Sequence, residues 1–321
     1  MDQNTIQKVE KSIEILKNSQ SRVFFLVQDT KGNAKGATRH IYQMAKALKD
    51  NGLNPVILHE SNDYTGVESW LGEGYMEMEH VSIEGQNLQI SPEDFVVIPE
   101  LYGHVMEQLK DLPCGKIVLA QAYDHIFETL QPGTTWSQYG FLKCITTNEK
   151  QLEQIKSYIK NVSFDVIEPL IPSKFDKKPK PSKPIVSIHT REQRDTMKII
   201  KGFYLKYPQY RWITFRDMSR TPVIGKVPNL KPDWMNEKNG IWTYELNNMV
   251  DIIAEFVQNW LEDNISDQLY DECLLTAETY KDESLFNNKV TGLFTEYMNT
   301  RLGFFETQLD KLKVEESEDG K

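Results

Sequence analysis

Arg191 and Arg194 stand three residues apart where a strand gives way to a helix, in IHTREQRDTMKIIKGF, and His189 lies just before them at the strand's end. Two arginines at a helix start oppose the positive end of the helix dipole, a cost that a bound anion offsets. A guanidinium fork also matches the oxygens of a phosphate. Solvated surface charge is the other reading of the pair. In the first half of the chain, Glu100 and Tyr123-Asp124-His125 follow apolar runs. Those are the strand ends at which open α/β sheets bind their ligands. Asp124 fits two roles, substrate contact and N-cap of the helix HIFETL. The loop Gly32-Asn-Ala-Lys-Gly36 precedes the helix ATRHIYQMAKALKDNG. Gly36 there allows close approach of a ligand to free N–H groups at the helix start. The loop is neither GxGxxG nor a P-loop, and an ordinary strand-to-helix turn accounts for it equally well. His40, on the helix, reads as a packing or surface histidine rather than a base.

Two α/β patterns must position these residues. RVFFLVQD (22–29), NPVILHE (54–60), DFVVIPE (94–100), GKIVLAQA (115–122), FLKCITTN (141–148) and VSFDVIEP (162–169) are nearly unbroken apolar runs. They alternate with helices about ten residues long, which is the pattern of βαβ units and a doubly wound parallel sheet. Residues 1–169 therefore read as one Rossmann-like domain. A linker, 170–183, follows, where Pro172, Pro179 and Pro181 alternate with lysines. A second, smaller α/β pattern occupies 184–263, and 264–321 is a helical tail with an acidic end.

Composition narrows the function classes. Aliphatic and aromatic residues make up 39% and charged residues 26% of 321 positions, and no apolar run approaches a membrane span. The amphipathic start is not a secretory signal, so cytoplasm is the expected location. A net charge of −10 disfavours a general nucleic-acid binder. Cys114, Cys144 and Cys273 are widely spaced with no ligand pattern, which argues against disulfides and structural zinc.

One junction resists this reading. YRWITFRDM and PVIGKV both look like buried strands, yet only Ser219, Arg220 and Thr221 separate them. A hairpin there lacks the Asn-Gly or Gly-Gly its turn favours, and a parallel pair needs a crossover of about ten residues or more.

Read as a unit, KGATRHIYQMAKALKDNGLNPVIL resembles the opening of GT-B glycosyltransferases, especially the large retaining group called family four. Gly36, Arg39, His40, Ala45, Leu48 and Gly52 fit its helix pattern, with Lys35 where a paired glycine is usual. The resemblance covers most of residues 20–263. It implies an α/β fold of two Rossmann-like GT-B domains, the second truncated, followed by C-terminal helices. It further implies an acceptor held by the first domain, a nucleotide-sugar held by the second, and reaction in the cleft between them. His189, Arg191 and Arg194 would hold the donor diphosphate, Arg194 standing at the usual lysine. Gly36, Glu100 and Tyr123 would line the acceptor side, with Asp124 the catalytic candidate. PVIGKVPNLKPDWMNEKNGIWTY is similar to a late stretch of the same family, and the block before it, with two donor-gripping glutamates, is missing between Arg220 and Thr221. No Asp-x-Asp occurs, and neither metal nor cofactor is expected beyond the nucleotide-sugar substrate. The function expected is transfer of a sugar to a glycan or other hydroxyl acceptor. Its rivals are a noncatalytic GT-B-fold binding or assembly protein, with a partner at the C-terminal helices, and a sugar-nucleotide epimerase.

Overall fold

The computed structural model describes residues 3–64, 70–75, 77–84, 88–122, 125–171, 193–208, 223–226, 240–243, 248–262, 272 and 275–319. The chain divides into two compact units, residues 1–169 with 283–321 and residues 170–282.

The first unit is built on seven parallel strands. These are β1 (Arg22–Leu26), β2 (Asn54–His59), β3 (Glu79–Ser82), β4 (Phe95–Pro99), β5 (Gly115–Ala120), β6 (Lys143–Thr146) and β7 (Ser163–Val166). Their order in the sheet is β3-β2-β1-β4-β5-β6-β7. The central strands have no polar alternation because both of their faces are covered: Phe24 pairs in register with Val56 on one side and Val96 on the other. On one face Phe24, Val96, Ile98 and Val118 pack against Met106, Trp136 and Phe141. The strand not foreseen from the sequence is β3, EHVS, a half-exposed edge strand whose single ladder requires no long apolar run.

The helices follow from their stripes and stops. In α2 (Gly36–Asp50), Ile41, Met44, Ala45 and Leu48 are buried. Gly52 ends that helix with φ 79°, and Leu53 N–H bonds back to Leu48 O at 3.0 Å, the left-handed stop that glycine adopts without a Cβ clash. Short helices α3 (Gly103–Gln108) and α4 (Ile126–Thr129) and the longer α5 (Glu149–Tyr158) supply further crossovers. The segment after β5, expected to be a helix from position 124, forms only the single turn of α4 and a separate 3-10 turn at Trp136–Tyr139.

The expected tail, 264–321, does not stand apart as a whole. From Glu283 it forms α8 (Glu283–Asp319) and belongs to the first unit. Phe286, Val290, Phe294, Tyr297, Met298 and Phe305 are buried along one stripe. Phe294 meets Phe25 of the sheet with ring centroids 5.8 Å apart. Burying each large apolar side chain of this kind contributes about 1.5–3 kcal/mol. Polar contacts fix the register: Tyr297 donates to Asp165 at 2.7 Å, and Arg301 donates to Pro92 O at 2.7 and 3.0 Å and to Pro113 O. Helix α1 (Gln3–Lys17) joins α8 through the Lys17–Glu306 and Glu10–Lys313 ion pairs.

In the second unit, β8 (Val223–Lys226) and β9 (Gly240–Thr243) pair in parallel. Helices α6 (Gln193–Lys206) and α7 (Met249–Leu261) close over Ile199, Phe203, Met249, Ile253 and Val257. The expected strands PIVSIHT and YRWITFRDM and the junction Arg220-Thr221 lie outside the described residues. Among the described residues no helix is long and apolar enough to cross a membrane.

Candidate functional site

The strand order reverses between β1 and β4, so the loops leaving the carboxyl ends of these strands diverge and open a crevice, the usual ligand position of doubly wound sheets. A pocket of about 400 Å³ lies there, over the ends of β1, β2 and β4. Gln28 and Asp29 reach it from β1, His59 and Glu60 from β2, and Leu101 and Tyr102 from β4, with Asp63 and Tyr64 beyond β2.

Stacked rings form part of its wall. The Tyr64 ring lies on His59 with centroids 4.0 Å apart and planes 2° from parallel, and His80 lies beside His59, nearly coplanar with it, 5.2 Å between centroids. His59 Nε2 and His80 Nδ1 are 2.9 Å apart, one donating to the other. Burial lowers the His80 pKa. Glu60 takes His104 as an ion-pair partner at 2.7 Å, and Asp63 accepts from the Ser61 hydroxyl at 2.5 Å. Burial, followed by the charge of Glu60, pushes the Tyr102 phenol well above its ordinary range, so this hydroxyl remains a donor.

Beside the pocket, Glu100 is 1% exposed. Its carboxylate accepts the N–H groups of Gln121 (2.9 Å) and Ala122 (2.8 Å), and its carbonyl accepts the Thr129 hydroxyl at 2.6 Å. Burial raises its pKa while the two N–H donors pull it back. Glu100 thus holds the turn at Gln121-Ala122 beside Thr129 of α4, rather than lying open to a ligand. His125 Nδ1 is 4.0 Å from its Oε1. The turn is also tied to α2, because the Gln121 amide donates to Ala37 O at 2.9 Å and approaches His40 Nδ1 at 3.4 Å. His40 is fully buried and burial lowers its pKa to about 4, so it packs as a neutral ring. Gly103, opening α3, permits the close approach of α4: a Cβ there would meet Thr129 O at 2.1 Å.

Of the residues singled out from the sequence, Glu100 and Gly36 belong to the first unit. Gly36 begins α2 in an exposed position with open space where a Cβ would project, so the protein's own packing does not demand glycine there. Arg194 is exposed in the first turn of α6, beside Asp195. Tyr123, Asp124, His189 and Arg191 lie outside the described residues. Sequence reasoning passed over Gln121, Asp29, Glu60 and Tyr64. The signal for three of them was the polar residue that directly follows each apolar run, as in VQD and LHE. Among the described residues no group of three or more His, Cys, Asp or Glu side chains is arranged to hold a metal.

Comparison of the architecture with solved structures finds sucrose-phosphate synthase from Thermosynechococcus elongatus at a TM-score of 0.59 and 11% identity, with 87% of this chain and 100% of that one covered. HepE of Anabaena, solved in complex with UDP, matches at a TM-score of 0.53 and 11% identity, over 86% of this chain and 100% of that one. The chain has the GT-B fold. No family model matches it, and no curated sequence does. This is the α/β, GT-B fold class expected from the sequence.

Proposed function

We propose that the chain is a glycosyltransferase that moves a sugar from a nucleotide-sugar to a hydroxyl acceptor. The observation that carries this reading is a pocket lined by hydrogen-bonding groups at the switch point of a complete parallel sheet, in a chain of GT-B fold. The UDP in the HepE structure supports a nucleoside-diphosphate donor. In the reaction, the acceptor oxygen bonds to the anomeric carbon as the bond from that carbon to the diphosphate oxygen breaks. With retention the acceptor oxygen enters on the face from which the diphosphate leaves, and the departing diphosphate oxygen takes the acceptor proton; Asp124 is the candidate for orienting the acceptor. Arg191, Arg194 and His189 would take the charge that grows on the departing diphosphate, electrostatic stabilisation that needs no Asp-x-Asp-bound cation. The retaining course and the family-four relationship belong to the same proposal.

Calorimetry with UDP and UDP-glucose tests the reading, with chromatography of the products. We expect UDP to bind, and Arg194→Ala to weaken that binding roughly tenfold, as loss of a charge-assisted phosphate contact does. Absence of both UDP binding and sugar release from any of the common nucleotide-sugars would overturn it. A second reading, a GT-B-fold binding protein without transfer activity, is favoured by the block missing between Arg220 and Thr221. Detection of transfer or donor hydrolysis eliminates that alternative.

A further inference from the structure

We infer that the pocket over β1, β2 and β4 receives the acceptor, and receives it as a sugar with free hydroxyls and no phosphate. This rests on the transferase reading and adds the acceptor's chemistry to it.

Three features of different kinds agree. The pocket's volume, about 400 Å³, falls in the size range of small-molecule sites, roughly 300–1,000 Å³, and accommodates one or two sugar rings. Its wall includes the flat Tyr64–His59 stack, an apolar platform ending in a polar edge, the kind of surface on which the C–H face of a pyranose lies. Its polar groups are mainly acceptors: Asp29, Glu60 and Asp63 line it, while among the described residues no lysine or arginine does. Carboxylates accept hydrogen bonds from hydroxyl pairs and attract an ammonium group, whereas they repel a phosphate dianion across a few ångströms.

The cationic groups nearby do not reverse this balance. The Lys35 ammonium, held by Gln28 Oε1 at 2.8 Å, keeps its charge, but it stands against the three carboxylates of Asp29, Glu60 and Asp63. Glu84 adds further negative charge behind the rim, its Oε2 standing 2.9 Å from the Ser61 hydroxyl oxygen. Glu60 and Asp63 each direct one oxygen to a protein partner, which leaves the second to accept a sugar hydroxyl. Tyr102, held protonated by burial beside Glu60, can supply the complementary donor.

Saturation-transfer NMR on the full chain tests this with methyl glucoside, glucosamine and glucose 6-phosphate, with UDP binding measured separately by calorimetry. The inference predicts that methyl glucoside and glucosamine bind, and that glucose 6-phosphate binds at least roughly tenfold more weakly. Glu60→Gln combined with Asp63→Asn, both at exposed positions and both checked for unchanged melting, should weaken glucosamine and narrow its margin over the phosphate. Equal or tighter binding of glucose 6-phosphate overturns the inference, as does binding of none of the three sugars, or the same affinities in the double variant. UDP binding without sugar binding sinks this inference and leaves the transferase reading standing. Sugar binding in the predicted order without UDP binding sustains the pocket's chemistry and sinks the transferase reading.

Discussion

In the first unit, carboxylates stand at the ends of the strands, Asp29 after β1, Glu60 after β2 and Glu100 after β4. In the second, the helix that follows the linker carries Arg194, Lys198, Lys201 and Lys206 against the single acid Asp195. The two units share an α/β plan, and these strand ends and this helix differ in the sign of the charge they carry. On the proposed transferase reading, a diphosphate leaving group calls for cations and a hydroxyl nucleophile for acceptors, and these two sets of residues offer one of each. The units differ in their interiors as well. The first closes a sheet on both faces with helices drawn from both ends of the chain, while the described core of the second lies between α6 and α7.

The largest expected effect tests whether these interiors are independent. Phe24→Ala, at a site 1% exposed in the central sheet, should cost about 3–5 kcal/mol, and Phe203→Ala should act on the other core. Denaturant unfolding followed by circular dichroism should show two transitions, each moved by only one of these variants. A single transition moved by both would break the comparison.

A smaller effect concerns acid. Below pH 6.5 the unfolded chain protonates His40, while the folded ring resists down to about pH 4. Stability contributed by the neutral ring is therefore present above pH 6.5 and lost as pH falls toward 4, by about 2 kcal/mol between pH 7 and 5. His40→Leu should flatten that dependence in the first unit's transition and leave the second's unaltered. An unchanged slope in the variant would mean that the acid sensitivity lies elsewhere.

The smallest effect belongs to the surface. Lys206, paired with Asp251 between α6 and α7, sits where solvent screens the pair. Lys206→Met should leave the second transition within experimental scatter, and a clear downward shift would show that this unit relies on its surface charges for stability.

The sequence showed the strands of the first unit where burial is complete, because runs such as RVFFL and FVVIP admit one explanation. It did not show β3, whose Glu79 and His80 are polar because an edge strand is half solvated, and with β3 hidden the His59–His80–Tyr64 ring cluster could not be foreseen. Position was legible more often than direction. Glu100 was identified at a strand end, yet its carboxylate turns inward to the Gln121 and Ala122 N–H groups, a choice that depends on a loop distant in sequence. The aromatic spacing of the C-terminal segment marked a helix, and only the fold reveals that Phe294 and Arg301 seat it on the first unit.

That return of α8 has a consequence for how the molecule comes into being. The first unit is discontinuous in sequence, with the whole of residues 170–282 intervening between β7 and α8. A ribosome making this chain releases the seven strands well before it makes Phe294, so Phe25 waits without its aromatic neighbour while the second unit is synthesised. Folding of the first unit is therefore completed only after residues 170–282 have been made, which gives the second unit the time to fold first.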